Sequence, residues 1–382
     1  MIDKSIINRR FVRIKAIQNL YAFYINQQAS YQQALEEIKT AFIPDVFASI
    51  PADKEQLTQD EAQATALFIA WESGKQVGAS EQAKYSPTAQ EVAKKIWANY
   101  QLRFTQDLKI LENGWETAID KIRNAYLLTI QLIIEWFSMA CQQSEKSRQL
   151  SPGTMHYPTK LASSYILNEL KSDPSFLKII QAHTISWAPN MDSVTRWYQQ
   201  FVKNNPSLNK DLSDTENLEK EVEKEVEVIK VLLNDIILTQ EDIQNFFSDL
   251  DLGWTENQSI VKKLLHPLLE QLEIDAWRKE ISQSNELGKT SASFYSHLIN
   301  SFLERGLAIE KLIQEHIKNW SIDRTVPLDI IIIKLAICEM KYSHSIPTNV
   351  AINEYVDLAK RYSTTKSSQF VNGVLGTIAK IV

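Results

Sequence analysis

Glycine and proline are scarce in this chain, nine and eleven among 382 residues. Long helices need few of either, and no stretch of period-two alternation calls for a sheet, so an all-α fold is expected. Cysteine is scarcer still. Cys141 and Cys338 lie far apart in apolar helical contexts, which excludes a disulfide framework or a Cys-x-x-Cys metal site and leaves small buried hydrophobes as the reading. The six histidines, at positions 156, 183, 266, 297, 316 and 344, form no H-x-x-x-H or H-E-x-x-H spacing. There is no G-x-x-x-x-G-K-[ST], no G-x-G-x-x-G and no G-x-S-x-G. Nothing therefore marks a phosphate-cradling loop, a zinc site or a hydrolase elbow. No catalytic residue, metal or cofactor is expected, and the nine tryptophans read as core. The N-terminus has no apolar stretch of signal-peptide kind. The longest apolar run, Ala125 to Cys141, is broken by Gln131 and Glu135 and reads as a buried helix, not a membrane span. A reducing cytoplasm is the expected compartment.

What the chain has is charge in unexpected places. The net charge is −6, yet from Leu358 to the end there is no Asp or Glu, while Lys360, Arg361, Lys366 and Lys380 are cationic. A basic patch on an acidic body is compatible with both facts. The first helix is expected over residues 8–27, with Asn8 as N-cap and an apolar stripe of Ile14, Ile17, Leu20, Tyr21 and Tyr24. Arg9, Arg10 and Arg13 fall in its first turns, with Lys15 just behind. Exposed cations there oppose the helix macrodipole by about 0.3–1 kcal/mol each. Residues placed against local preference point to a use elsewhere.

Residues 41–58 read as a loop with Pro44 and Pro51, followed by helices near 59–72, 87–112, 115–143, 159–171, 174–183 and 191–203. The Glu/Lys/Val run over 216–230 reads as a solvated helix laced with i, i+4 pairs. Two or three helices lead to Leu287, and two more are expected over Ser291–Gly306 and Ala308–Ile317. The chain then ends in helices 327–342, 348–362 and 368–381, separated by a turn before Pro347 and a Ser/Thr/Lys loop over 363–368. In helix 348–362, Ile352, Tyr355, Val356, Ala359 and Tyr362 share one face. No repeat of fixed period is found.

The two ends carry a pattern. At the N-terminus it is Arg9-Arg10-x-x-Arg13-x-x-Ala16-x-Gln18-x-Leu20-Tyr21. At the C-terminus it runs Trp320-x-x-Asp323-Arg324, Leu335-Ala336-x-x-Glu339-Met340, Ile346-Pro347-x-x-Val350-Ala351-Ile352-Asn353-Glu354 and Phe370-Val371-Asn372-Gly373-Val374-Leu375. In this order and spacing the segments resemble the NusB family of transcription antitermination factors. The C-terminal block is the specific part; the N-terminal one is short.

The resemblance implies NusB-like helical bundles carrying a large helical insertion. The expected division is residues 1–40 for the Arg-rich N-terminal helices, 41–290 for the insertion and extended central helices, and 291–382 for the C-terminal bundle. It also implies a non-enzymatic protein that binds a boxA-like single-stranded RNA of ribosomal RNA leaders. The implied partners are NusE, a small-subunit ribosomal protein, and the RNA polymerase antitermination complex. Residue by residue, it assigns RNA contact to Arg9, Arg10 and Arg13, with Lys15 beside them, to Tyr21, to Lys366 in the loop and to Phe370 at the start of the last helix. Glu339 falls in the helix placed near RNA and partner. Cations along the backbone and aromatics against splayed bases are what single-stranded RNA needs. Asn353, Asn372 and Gly373 read more simply, as amides that cap or bridge helices and a close-packing glycine. Two other readings remain at this point: a helical protein-interaction scaffold, and a domain related to the targeting module of rRNA methyltransferases, for which the cysteines offer no catalytic context.

Overall fold

The computed structural model describes residues 6–44, 53–75, 78, 82, 84–150, 159–209, 225, 227–270, 273–316, 325–342 and 346–381. Trp320, Asp323 and Arg324, and most of the charge run over 216–230, lie outside them. Among the described residues the elements are helical, as the composition predicts. In chain order the main helices are α1 (Arg9–Ala41), α2 (Lys54–Glu72), α3 (Pro87–Glu112), α4 (Gly114–Leu150), α5 (Tyr165–Ser172), α6 (Pro174–Ala182), α7 (Met191–Trp197), α8 (Glu241–Leu250), α9 (Trp254–Glu270), α10 (Ile274–Gln283), α11 (Lys289–His316), α12 (Pro327–Tyr342), α13 (Thr348–Tyr362) and α14 (Ser367–Ile378). None is long and apolar enough to cross a membrane.

The expected boundaries fail in three instructive places. Helix α1 runs on to Ala41 because Tyr31, Ala34, Leu35, Ile38 and Phe42 continue an apolar stripe beyond the polar stretch at 27–30. Helix α2 starts at Lys54, five residues early. Asp53 caps it, its Oδ1 accepting from the N–H of Glu55 and Gln56 at 3.0 and 3.3 Å. Helix α11 is continuous where two helices were expected. Gly306 is buried within it, and a Cβ there would meet only Lys334 Nζ, at 3.6 Å.

The chain divides into two compact units, one of Met1–Val12 with Trp115–Ser293, the other of Arg13–Gly114 with Phe294–Val382. In the first, α4 supplies a long buried face including Trp115, Tyr126 and Trp136. Three indole N–H groups of this unit are tied to backbone: Trp115 to the Gly288 carbonyl (2.9 Å), Trp136 to that of Val194 (3.1 Å) and Trp187 to that of Leu128 (2.9 Å). Gly288 has φ +81°, and a Cβ would collide with Ile119, so only glycine fits. Trp187, Trp197, Phe246, Phe247 and Trp254 form a chain of ring contacts, which bears out the reading of tryptophan as core. Glu225, the described residue of the charge run's middle, is a cap and not a solvated side chain. It accepts from the N–H of Ile166 and Tyr165 at the start of α5, at 3.0 and 3.3 Å.

The second unit has two cores. One joins the later half of α1 to α2 and α3 through Phe68, which meets Tyr31, Trp97 and Tyr100 at ring-centroid distances of 5.8, 6.0 and 5.4 Å. The other is the C-terminal bundle. Helix α12 is buried on every side from Ile331 to Met340, as an uninterrupted apolar helix must be. Helix α13 lays Ala351, Ile352, Tyr355, Leu358 and Ala359 inward, and α14 lays Val371, Val374, Leu375 and Ile378. At the start of α4, Gly114 has no room for a side chain beside Asn19 and Tyr295. The Asn19 amide donates to the Tyr295 hydroxyl (2.8 Å), which donates to the Leu111 carbonyl (2.8 Å).

Candidate nucleic-acid interface

Asn8 does cap α1: its Oδ1 accepts the Phe11 N–H at 2.9 Å. Arg9 is exposed and Arg10 half-buried in the turn that follows. One turn later the helix does something different with its cation. Arg13 is 3% exposed. Its Nε and Nη2 donate to the two oxygens of Glu339 at 2.8 and 2.7 Å, and Nη1 lies 3.5 Å from Glu354 Oε2. The guanidinium carbon is 5.8 Å from the ring centres of both Phe294 and Tyr355. The Tyr355 hydroxyl donates to Glu339 Oε2 at 2.9 Å.

Burial alone would lower the Arg13 pKa, but the hydrogen bonds it donates to Glu339 and the surrounding negative groups outweigh it and hold it raised. Burial, then the Glu339 carboxylate, pushes the Tyr355 phenol well above its ordinary range. The fork-to-carboxylate geometry is the strong kind of ion pair. It occupies Arg13 completely, so this side chain is turned into the protein and does not face a polyanion, contrary to the expectation of direct RNA contact. Lys15 departs from expectation in the same way. It is 4% exposed, with Nζ donating to Gln18 Oε1 at 3.2 Å. Glu339, 1% exposed, is an internal counter-ion.

The remaining expected residues do reach the surface. Tyr21 is 39% exposed, although the stripe reading placed it inward with Leu20. No hydrogen bond, ion pair or ring contact joins it to the other named residues among those described. Lys366 is exposed and stands immediately before α14, and Phe370 is half-buried one turn on, its N–H donating to the Lys366 carbonyl at 3.2 Å. Lys360 and Arg361, at the end of α13, are exposed as well, so the acid-free tail carries its charge outward. The loop between α13 and α14 is tightly tied. Ser367 Oγ accepts the Thr364 N–H (3.2 Å) and donates to Asp329 Oδ2 (2.7 Å).

Asp329 and Phe294 escaped the sequence reading, and Tyr355 and Glu354 were named there only for a helix face and a family pattern, not as partners of Arg13. One signal was available: Arg13 is in helical phase with Ile17, Leu20 and Tyr24, which predicts burial and hence a buried partner. The glycine and asparagine readings also need correction. A Cβ on Gly373 would meet nothing within 4 Å, so close helix packing is not its purpose. Asn353 and Asn372 are exposed and make no helix-bridging bond among the described residues. Chemically, the surface offers cations and partly exposed rings. Among the described residues no cluster of His, Cys, Asp and Glu could hold a metal. Burial raises both thiols, Cys338 to about 12.

Comparison with known proteins covers the C-terminal part. The family model described as "NusB family" matches residues 261–380, so the arginines of α1 lie outside the matched span. A protein of Finegoldia magna named transcription antitermination protein NusB is 38% identical over 102 residues, 27% of this chain and 74% of that protein. Its namesake in Bacillus velezensis is 40% identical over 91 residues, 24% of this chain and 70% of the relative. That of Clostridium tetani is 33% identical over 125 residues, 32% and 82% of the two chains. No solved structure matches. With a relative more than a third identical and three-quarters covered, and with the all-helical bundle that carries the match in place, the chain belongs to the NusB family.

Proposed function

We propose that this chain is a non-catalytic transcription antitermination factor that binds a boxA-like single-stranded RNA of ribosomal RNA leaders, acting with the small-subunit ribosomal protein NusE in the RNA polymerase antitermination complex. The observation that carries the reading is the family match over the bundle that holds Lys366 and Phe370 at an exposed turn. Arg9 and Arg10, on the opening turn of α1, supply the N-terminal cations. Tyr21 and Phe370 offer ring surface for bases, and Lys366 charge for phosphate. Arg13, Lys15 and Glu339 act indirectly, by fixing α1 and α12 within their unit. The stretch read as the insertion, residues 41–290, has no RNA role in this scheme.

The test is binding of the full chain to a boxA-like RNA across a salt series. Each phosphate contact on a single strand contributes about −0.7 to the slope of log affinity against log salt. Replacing Arg9 and Arg10 together by Ala should therefore weaken binding and flatten the slope by roughly 1.4. An unchanged slope removes the first helix from the interface. Capture of NusE by the full chain, and its failure against a control ribosomal protein, tests the partner.

A further inference from the structure

We infer that Asp329 is a positioning residue for nucleic-acid binding: from the first turn of α12 it fixes Ser367, and through Ser367 the turn that presents Lys366. The inference rests on the RNA reading above and deepens it.

Asp329 is 3% exposed and Ser367 2%. The Ser367 hydroxyl has one proton, and it goes to Asp329 Oδ2 at 2.7 Å. Ser367 Oγ in turn accepts the Thr364 N–H at 3.2 Å and lies 2.8 Å from Thr364 Oγ1 and 3.0 Å from Ser363 Oγ. The Ser367 N–H donates to the Thr364 carbonyl at 3.0 Å. The turn is thus closed on itself from both sides, with Thr365 and Lys366 exposed between its ends. One charge-assisted bond ties this closed turn to α12.

The second observation concerns the other carboxylate oxygen. Among the described residues, Asp329 Oδ1 is buried and has no hydrogen-bond partner. Among those residues, the Asp329 side chain hydrogen-bonds through Oδ2 alone. Its remaining contact is with the residue next to Lys366. Electrostatics gives the idea a sign. A carboxylate near bound RNA repels it, so a purely electrostatic effect of removing Asp329 would tighten binding. If Asp329 instead holds the turn, its removal loosens binding.

The experiment uses the full chain and the same boxA-like RNA over a salt series, with circular dichroism to confirm folding. Asp329→Ala should weaken binding and flatten the salt slope by about 0.7, the share of one phosphate contact. Lys366→Ala should do the same, and the double variant should fall no further than either. Asp329→Asn keeps an oxygen for the Ser367 hydroxyl and should bind at least as tightly as the parent. Ser367→Ala removes the bond without touching charge; it should reproduce Asp329→Ala, and it carries the test if Asp329→Ala does not fold. Parent-like or tighter binding by folded Asp329→Ala or Ser367→Ala, with Lys366→Ala still weakened, overturns the inference and leaves the RNA reading standing. A neutral Lys366→Ala beside a weakened Arg9/Arg10 variant overturns it too, and confines the interface to α1. Absence of RNA binding by the parent chain removes both readings together.

Discussion

Arg13 shows how a residue type can mislead. An arginine in a basic cluster reads as a nucleic-acid contact, yet this one is paired with Glu339 at 2.7 and 2.8 Å inside the protein. Removing one member of such a buried pair typically costs about 3–5 kcal/mol, because the other charge is stranded. Arg13→Ala should therefore lower the urea midpoint severely. Arg13→Met combined with Glu339→Leu should recover most of the loss. If Arg13→Ala costs under about 1 kcal/mol, the value of an exposed pair, the ion pair does not form in solution as described. Under the proposed RNA reading, the practical corollary is that weaker binding by an Arg13 variant is to be checked against folding, and Arg9 and Arg10 are the cleaner probes. The helical phase of Arg13 with Ile17 and Leu20 was legible in the sequence. Its partner, 326 residues away, was not, because pairing across the fold leaves no trace in local spacing. Asp329 and Ser367, 38 residues apart, were hidden for the same reason.

Among elements, α12, α13 and α14 were the most legible. The first is an uninterrupted apolar run, the other two have a periodic apolar face, and Pro327 and Pro347 punctuate the starts of the first two. The ends of α1 and α2 were less so, since a polar stretch and a lone capping aspartate decide them. Helix α14 supplies a test of what its glycine does. Gly373 is exposed, lies mid-helix, and has open space where a Cβ would stand. Glycine there costs about 0.5–1 kcal/mol relative to alanine. Gly373→Ala should raise thermal stability accordingly. No gain, or a loss, means the position is strained in a way the helix geometry does not show. A gain in stability joined to weaker RNA or NusE binding assigns the bare backbone to close approach by a partner.

At the scale of the whole molecule, the family match and the composition agreed on helices and on the C-terminal bundle. The division into two units, each assembled from separated stretches of chain, could not be read from a linear map. The second unit carries buried phenols that tie its stability to alkaline pH. Burial pushes Tyr295 up to about 12, and burial with Glu339 pushes Tyr355 well above the ordinary value of 10.0. Unfolded, both titrate near pH 10. Above that pH the unfolded chain binds fewer protons than the folded one, so stability present below about pH 10 is lost as pH rises through 12. Urea midpoints measured from pH 9 upward should fall over that window, with phenolate absorbance from these two residues appearing only on unfolding. A flat midpoint across the window contradicts it.

The discontinuity of that second unit has a consequence during synthesis. Residues 13–114 leave the ribosome first, but the segment that completes their unit begins at Phe294. At about 5–20 residues per second the intervening stretch takes roughly 9–36 s to make. Through that interval Arg13 has no Glu339 to receive it, and the apolar stripe of α1 has no α12. The later half of α1 can already pack with α2 and α3, but its first half must wait for the last helices of the chain.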